Sequence, residues 1–242
     1  RGLPLGNFEF KSNTIVNVYR QLKFERLWFH PEAVKCRMML IDSRKGKILN
    51  TVVFGGSGFV GSHMADALTE AGHEVRVFDR IPSPYLCPNQ EMIVGDILEF
   101  AQVRDAIMGC GVVFNFAGAA DLDDARTKAV ETVQQNILGT VNILEACRES
   151  DVGRYMHASS IYVYSNLGGF YRCSKQAAEL YVEEYQKHYG QEFTILRFGT
   201  LYGNRADSRN SIYRYLQQAM TEKQIKCSGT GEELREYINV KD

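Results

Sequence analysis

The chain of 242 residues has no apolar run near the roughly 18 residues that a membrane-crossing helix needs, so no membrane partner is expected. Charge of one sign is also missing in bulk. The net charge is −1, which gives no electrostatic reason to expect nucleic acid as a partner. The six cysteines (36, 87, 110, 147, 173, 227) never form a Cys-x-x-Cys pair, which argues against both a disulfide framework and a zinc site. Scattered thiols of this kind suit a reducing, cytoplasmic location, and no metal is expected. No internal repeat and no low-complexity tract appears. Hydrophobic content of 45% and charged content of 24% are those of an ordinary globular protein.

What is present is concentrated first in residues 51–61, Thr-Val-Val-Phe-Gly-Gly-Ser-Gly-Phe-Val-Gly. Thr51 to Phe54 are β-branched or aromatic and read as a short buried strand. Gly55, Gly58 and Gly61 stand three apart, and an apolar helical pattern (Phe59, Val60, Met64, Ala67, Leu68) follows at once. A second strand, Val75–Phe78, ends at Asp79. Strand, glycine turn, helix, strand and acid is the order a dinucleotide site requires. It gives a tight turn, close backbone approach to a pyrophosphate, and amide N–H groups at a helix N-terminus. The terminal carboxylate can then accept hydrogen bonds from ribose hydroxyls.

Residues 1–49 are set apart by charge. They carry ten Lys/Arg against four Asp/Glu, whereas residues 50–242 carry 18 against 25. The apolar patches 15–19 and 27–29 argue against simple disorder. We expect residues 1–46 to be an N-terminal extension or the tail of a preceding module, packed as a solvated basic surface. From Lys47 strand and helix patterns alternate: Met92–Val94, a helix at about 99–109, Val112–Phe116, a helix at about 124–148, Arg154–Ala158, a helix at about 171–188, Phe193–Phe198 and a helix near 210–222. This alternation predicts an α/β fold with a doubly wound, Rossmann-type parallel sheet over residues 47–242. The chain starts at Arg1 and ends at Asp242 in what reads as a strand-to-helix junction, so a fragment with a truncated C-terminal substrate-binding lobe is expected.

Ligands of open parallel sheets bind beyond the carboxyl ends of the strands. That places Gly55–Gly61, Asp79, Asp96, Ala117-Gly118, Ser159-Ser160 and Gly199-Thr200 around one crevice. The strongest chemistry nearby is Tyr171-Arg172-Cys173-Ser174-Lys175. Tyr and Lys four apart share a helix face. A phenol with a pKa of about 10 is a poor base at neutral pH, and an adjacent ammonium favours its phenolate. With the Ser160 hydroxyl at the end of the preceding strand, a substrate hydroxyl could be held and deprotonated. The plainer alternative is a solvated lysine beside a packed tyrosine.

The chain thereby resembles an extended short-chain dehydrogenase/reductase of the NAD-dependent epimerase/dehydratase family, the group typified by UDP-glucose 4-epimerase. The resemblance rests on Gly55-x-x-Gly58-x-x-Gly61, Asp79, Gly95-Asp96, Asn136-x-x-Gly139-Thr140, Ser159-Ser160-x-x-Val163-Tyr164, Tyr171-x-x-Ser174-Lys175, Leu196-Arg197-Phe198 with Tyr202-Gly203, and Arg235–Asp242. It implies a catalytic set of Ser160, Tyr171 and Lys175. It implies adenine contacts at Asp96 and Ile97, and substrate contacts at Asn136, Thr200 and Arg235. The expected cofactor is NAD, held by Gly55, Gly58, Phe59, Val60, Gly61, Asp79, Arg80, Asp96, Ile97, Phe116, Ala117, Gly118, Ser159, Tyr171, Lys175 and Phe198.

The implied activity is epimerase-type chemistry on a nucleotide-linked sugar, with a homodimer formed through the two long helices. A reductase or dehydrogenase of the same family, or a non-catalytic nucleotide-binding subunit, are the alternatives. Two departures matter. The Asp-Glu pair that serves water loss in the family's 4,6-dehydratases is Ile161-Tyr162 here, and only six residues separate the serine strand from Tyr171.

Overall fold

The computed structural model describes residues 14–18, 48–120, 127–226 and 237–242. In chain order the elements are β1 (Thr14–Val18), β2 (Asn50–Phe54), α1 (Phe59–Glu70), β3 (Glu74–Asp79), β4 (Gln90–Val94), α2 (Phe100–Ile107) and β5 (Val112–Asn115). Next come α3 (Ala129–Val133), α4 (Gly139–Glu149), β6 (Arg154–Ser160), α5 (Gly169–Tyr189), β7 (Phe193–Phe198), β8 (Thr200–Tyr202), α6 (Ser211–Thr221) and β9 (Tyr237–Asn239).

Seven strands form one parallel sheet in the order β1-β7-β6-β5-β2-β3-β4. The chain order reverses between β2 and β5, and that gap is where a doubly wound sheet opens its crevice. Val52, Val53 and Phe54 are all fully buried. Helices cover the sheet on both faces, so a central strand must be apolar at every position and not merely at alternate ones. Val52 and Phe54 pack with Phe78, Ile107, Leu144 and Ile195 on one face. Val53 packs with Ala65, Leu68, Val77, Phe114 and Met156 on the other. The strand ends are thus held rigidly on both sides, which fixes the residues beyond them.

Two features were not foreseen. Thr14–Val18, inside the segment expected to stand apart, pairs in parallel with β7 at the sheet edge. Its run Ile-Val-Asn-Val is rich in β-branched residues and suits that place. Second, the helix expected at about 124–148 runs from Ala129 to Glu149 with a π-helical turn at Gln134–Leu138 between α3 and α4. A π-turn inserts extra rotation and resets the helical phase. The expected inward residues Val130 and Val133 are consequently exposed, while Thr132, Gln135 and Asn136 are buried. A separate pair of parallel strands, β8 and β9, lies beyond the main sheet.

Candidate active site

The nucleotide end of the crevice is built by backbone. Gly55 has φ +73°, and a Cβ there would sit 2.6 Å from the Ala117 nitrogen. A Cβ on Gly61 would collide with the Gly55 carbonyl. Only glycine lets the turn and α1 pack this closely. Gly58 caps α1 without a side-chain partner, so the first-turn N–H groups of Phe59, Val60 and Gly61 face outward as an anion-binding end. Asp79 Oδ2 accepts the Ser57 N–H at 3.0 Å, which ties the end of β3 to the glycine turn and leaves the carboxylate further lone pairs. Arg80 lies exposed beside it.

Gly55, Phe78, Asp79, Arg80, Gly95, Ile97, Ala117 and Gln135 line an open cleft. Ile97 forms its floor and packs under Gly139. Asp96 caps the turn that follows, accepting the Leu98 N–H at 3.0 Å. Phe116 and Phe198 meet from neighbouring strand ends with ring centroids 6.2 Å apart. Glycines that admit no Cβ, an open helix N-terminus and an acid at the second strand end together fit a dinucleotide. Gln135 was missed in the sequence because the π-turn that turns it inward has no signature there.

The chemical end is built by β6 and α5. Ser160 closes β6, its Oγ accepts the Tyr162 N–H at 3.3 Å, and its hydroxyl lies beside the Tyr171 phenol. Tyr171 meets Tyr162 edge to face at 6.4 Å. Lys175 is buried with Nζ 6.0 Å from the Tyr171 ring centre, and Nζ donates to the Ala158 carbonyl at 2.8 Å. The sequence led us to expect that this ammonium would draw the phenol's proton affinity down. Instead, burial pushes Tyr171 up to about 12, with the Ser160 hydroxyl pulling the other way. Burial also pulls Lys175 down to about 8, against the attraction of Glu179. Both groups therefore rest closer to their neutral forms than exposed side chains would.

Two expected contacts are engaged otherwise. Ser159 turns its hydroxyl to Glu179 Oε1 at 2.5 Å. Asn136, 1% exposed, accepts the Ala119 N–H and donates to the Ala119 carbonyl and to Ser174 Oγ. With its amide saturated, it braces loop 117–119 against α5 and presents no free group. Gly118 (φ +148°) is glycine because a Cβ would lie 2.5 Å from Asn136 Oδ1. Thr200 begins β8, and Arg235 falls outside the described residues. Glu179 was overlooked although it follows Lys175 at helical spacing. Among the described residues no cluster of side chains could hold a metal ion, and no helix is long and apolar enough to cross a membrane.

Residues 51–242 match the model of the NAD dependent epimerase/dehydratase family. The chain belongs to that family, whose cofactor is NAD. A putative UDP-glucose 4-epimerase of Methanocaldococcus jannaschii is 27% identical over 219 residues, covering 79% of this chain and 70% of that one. A dTDP-glucose 4,6-dehydratase of Mycolicibacterium smegmatis is 29% identical over 228 residues, covering 80% and 66%. The solved structure of Thermus thermophilus UDP-glucose 4-epimerase in complex with NAD superposes with a TM-score of 0.72 at 26% identity, covering 80% of this chain and 71% of that one. The chain thus spans about 70% of the length of such relatives.

Proposed function

We propose that the protein is an NAD-dependent epimerase-type enzyme acting on a nucleotide-linked sugar. The observation that carries this reading is the convergence of Ser160, Tyr171 and Lys175 beside a dinucleotide cleft. When bound, NAD supplies reversible hydride acceptance at the sugar carbon. The glycine turn and the α1 N-terminus would hold its pyrophosphate, and Asp79 its adenosine ribose. Tyr171, as the phenolate that the Lys175 ammonium stabilises, takes the proton of the sugar hydroxyl at Oη and becomes the neutral phenol, while Ser160 orients that hydroxyl. Ile161 and Tyr162 stand where the family's dehydratases carry an acidic pair. Neither side chain can serve as the carboxyl acid and base of water loss, which favours isomerisation.

Further support for a dimer comes from the outer faces of α3 and α5, where Val130, Val133, Leu180 and Tyr181 are exposed. A homodimer through these helices would cover them. The deciding experiment incubates the protein with NAD and candidate nucleotide sugars, and follows products by NMR and mass spectrometry. Epimer formation without net NADH release supports the proposal. Stoichiometric NADH release would make it a dehydrogenase, a keto-deoxy product a dehydratase, and binding without turnover a non-catalytic subunit.

A further inference from the structure

The loop that leaves β8, residues 203–210, is fastened across α1 by contacts outside the catalytic set. His63 Nε2 donates to the Asn204 carbonyl at 2.9 Å, which can only accept. The His63 ring in turn lies edge-on to Phe59, the first residue of α1, with ring centroids 5.9 Å apart. Nearly one turn further along α1, Arg205 Nη2 donates to Asp66 Oδ2 at 2.6 Å across 139 positions of sequence. The Arg205 guanidinium also lies over the Tyr85 ring, 4.6 Å from its centre. Asp66 Oδ1 accepts the Cys87 thiol at 3.3 Å and the Gln90 amide at 3.2 Å. The Arg205 and Asp66 side chains are only 21% and 20% exposed.

One carboxylate therefore gathers three segments, and each meets a different part of the cofactor crevice. Helix α1 presents its N-terminal N–H groups to the pyrophosphate. Loop 80–89 leaves Asp79, the acid placed for the adenosine ribose, and Ser57 of the glycine turn donates to its Ile81 carbonyl at 2.8 Å. Loop 203–210 continues from β7, whose last residue Phe198 is paired beside Ser160 at the chemical end. The bridge is not built for stability alone. Arg205 holds φ +68°, a left-handed backbone that costs any residue except glycine. Desolvating two charges offsets much of their attraction. The bridge thus adds little to folding and much to where the loop is held.

We propose that Arg205 is a positioning residue of the cofactor site: through Asp66 and Tyr85 it straps loop 203–210 across α1 and slows the escape of bound NAD. The proposal rests on the α1 crevice being the NAD site, and it does not require the epimerase reading. On that reading the strap has a use. Hydride must return from the same cofactor that accepted it, and a keto sugar would be stranded if the reduced cofactor left between the two transfers.

The test loads the protein with NADH, adds excess NAD, and times NADH release by the loss of its bound fluorescence. Arg205→Met keeps an apolar stem beside Tyr85 but removes the charge, and is expected to speed release about tenfold. Asp66→Asn is expected to do the same. The double variant should release NADH no faster than either single one, because both break one bridge. Arg205→Lys keeps a cation within reach of Asp66 and should recover much of the parent rate. The control is Arg154→Met. Arg154 bridges Glu192 at 2.6 Å and opens β6 at the opposite end of the sheet, so its loss should lower the thermal midpoint without changing release. Unchanged release in Arg205→Met, an additive double variant, or equal acceleration in Arg154→Met would overturn the proposal. Should Asp66→Asn fail to fold, Arg205→Met and Arg205→Lys carry the same decision. No turnover is read. Slow NADH release in a protein that forms no epimer would defeat the epimerase reading alone, whereas a parent protein that binds no NADH would overturn the strap.

Discussion

Lys175 and Glu179 sit one turn apart on α5, nearly equally buried at 8% and 6% exposure, and the fold treats them in opposite ways. Glu179 is saturated. It accepts from Arg197 Nε at 2.9 Å, Arg197 Nη2 at 2.6 Å and Ser159 Oγ at 2.5 Å, while Arg197 also stacks on Tyr164. Among the described residues Lys175 has one hydrogen-bond partner, the Ala158 backbone carbonyl at 2.8 Å. A buried charge with a full set of partners fixes how two elements dock, here α5 against β7. A buried charge short of partners is pushed toward neutrality and becomes usable in chemistry. Removing a member of each set should therefore give effects of different kinds.

The largest effect is expected at the functional turn. Tyr171→Phe removes the group proposed to take the substrate proton, so turnover should fall roughly 10²- to 10⁴-fold. NAD affinity and thermal midpoint should stay near those of the parent protein, because the glycine turn and Asp79 hold the nucleotide and the ring is kept. Tyr162→Phe is the control and should be mild. If the two variants exchange their behaviour, the base is Tyr162 and the functional turn lies elsewhere.

Next comes the structural turn. Glu179→Ala strands the Arg197 guanidinium in the core, which should cost about 3–5 kcal/mol in urea unfolding. The rate per folded molecule should change by no more than a few-fold. Loss of turnover with stability intact would break the comparison, since Glu179 would then belong to the chemistry.

The contrast itself was only half legible in the sequence. The Gly55–Gly61 turn, Asp79 and the Tyr171–Lys175 pair could be read because each depends on local spacing. A turn, a strand end and one helix face are all set by neighbours within a few residues. The strands were legible for the same reason, since Val52-Val53-Phe54 in β2 and Ile195-Leu196 in β7 are local apolar clusters rich in strand-forming residues. What escaped depends on contacts far apart in the chain. Arg197 pairs with Glu179 only because β7 lies beside β6 under α5. Asn115, Tyr155 and His157 form one buried hydrogen-bonded chain only because β5 lies beside β6. The π-turn at Gln134–Leu138 defeated a reading based on a period of 3.6, and carried Gln135 into the cleft where Val133 was expected inside. Asn136 stood out in the sequence as a substrate contact, but its amide serves Ala119 and Ser174, a use that no spacing rule reveals.

The smallest of the three effects has the opposite sign, and it sharpens the comparison most. Lys175 in the folded chain gives up its proton at about 8, whereas an unfolded lysine keeps it to about 10.4. Between those pH values the unfolded chain binds more protons than the folded one, so stability rises as pH increases through that window. Below pH 8 both states are charged and the full penalty of burying the ammonium is present. Lys175→Met removes the charge and keeps most of the volume, losing only the bond to Ala158. At pH 7 the variant should be about 2–3 kcal/mol more stable than the parent, and by about pH 10.5 the difference should have closed. Its turnover should be lost across the whole range. Glu179→Ala should show no such gain at any pH, because there the partnered charge stabilises. Urea unfolding of the parent and both variants at pH 7, 9 and 10.5 checks the sign directly. A Lys175→Met variant that is less stable than the parent at pH 7 would show that the lysine is as well partnered as Glu179, and the distinction between the two turns of α5 would fall.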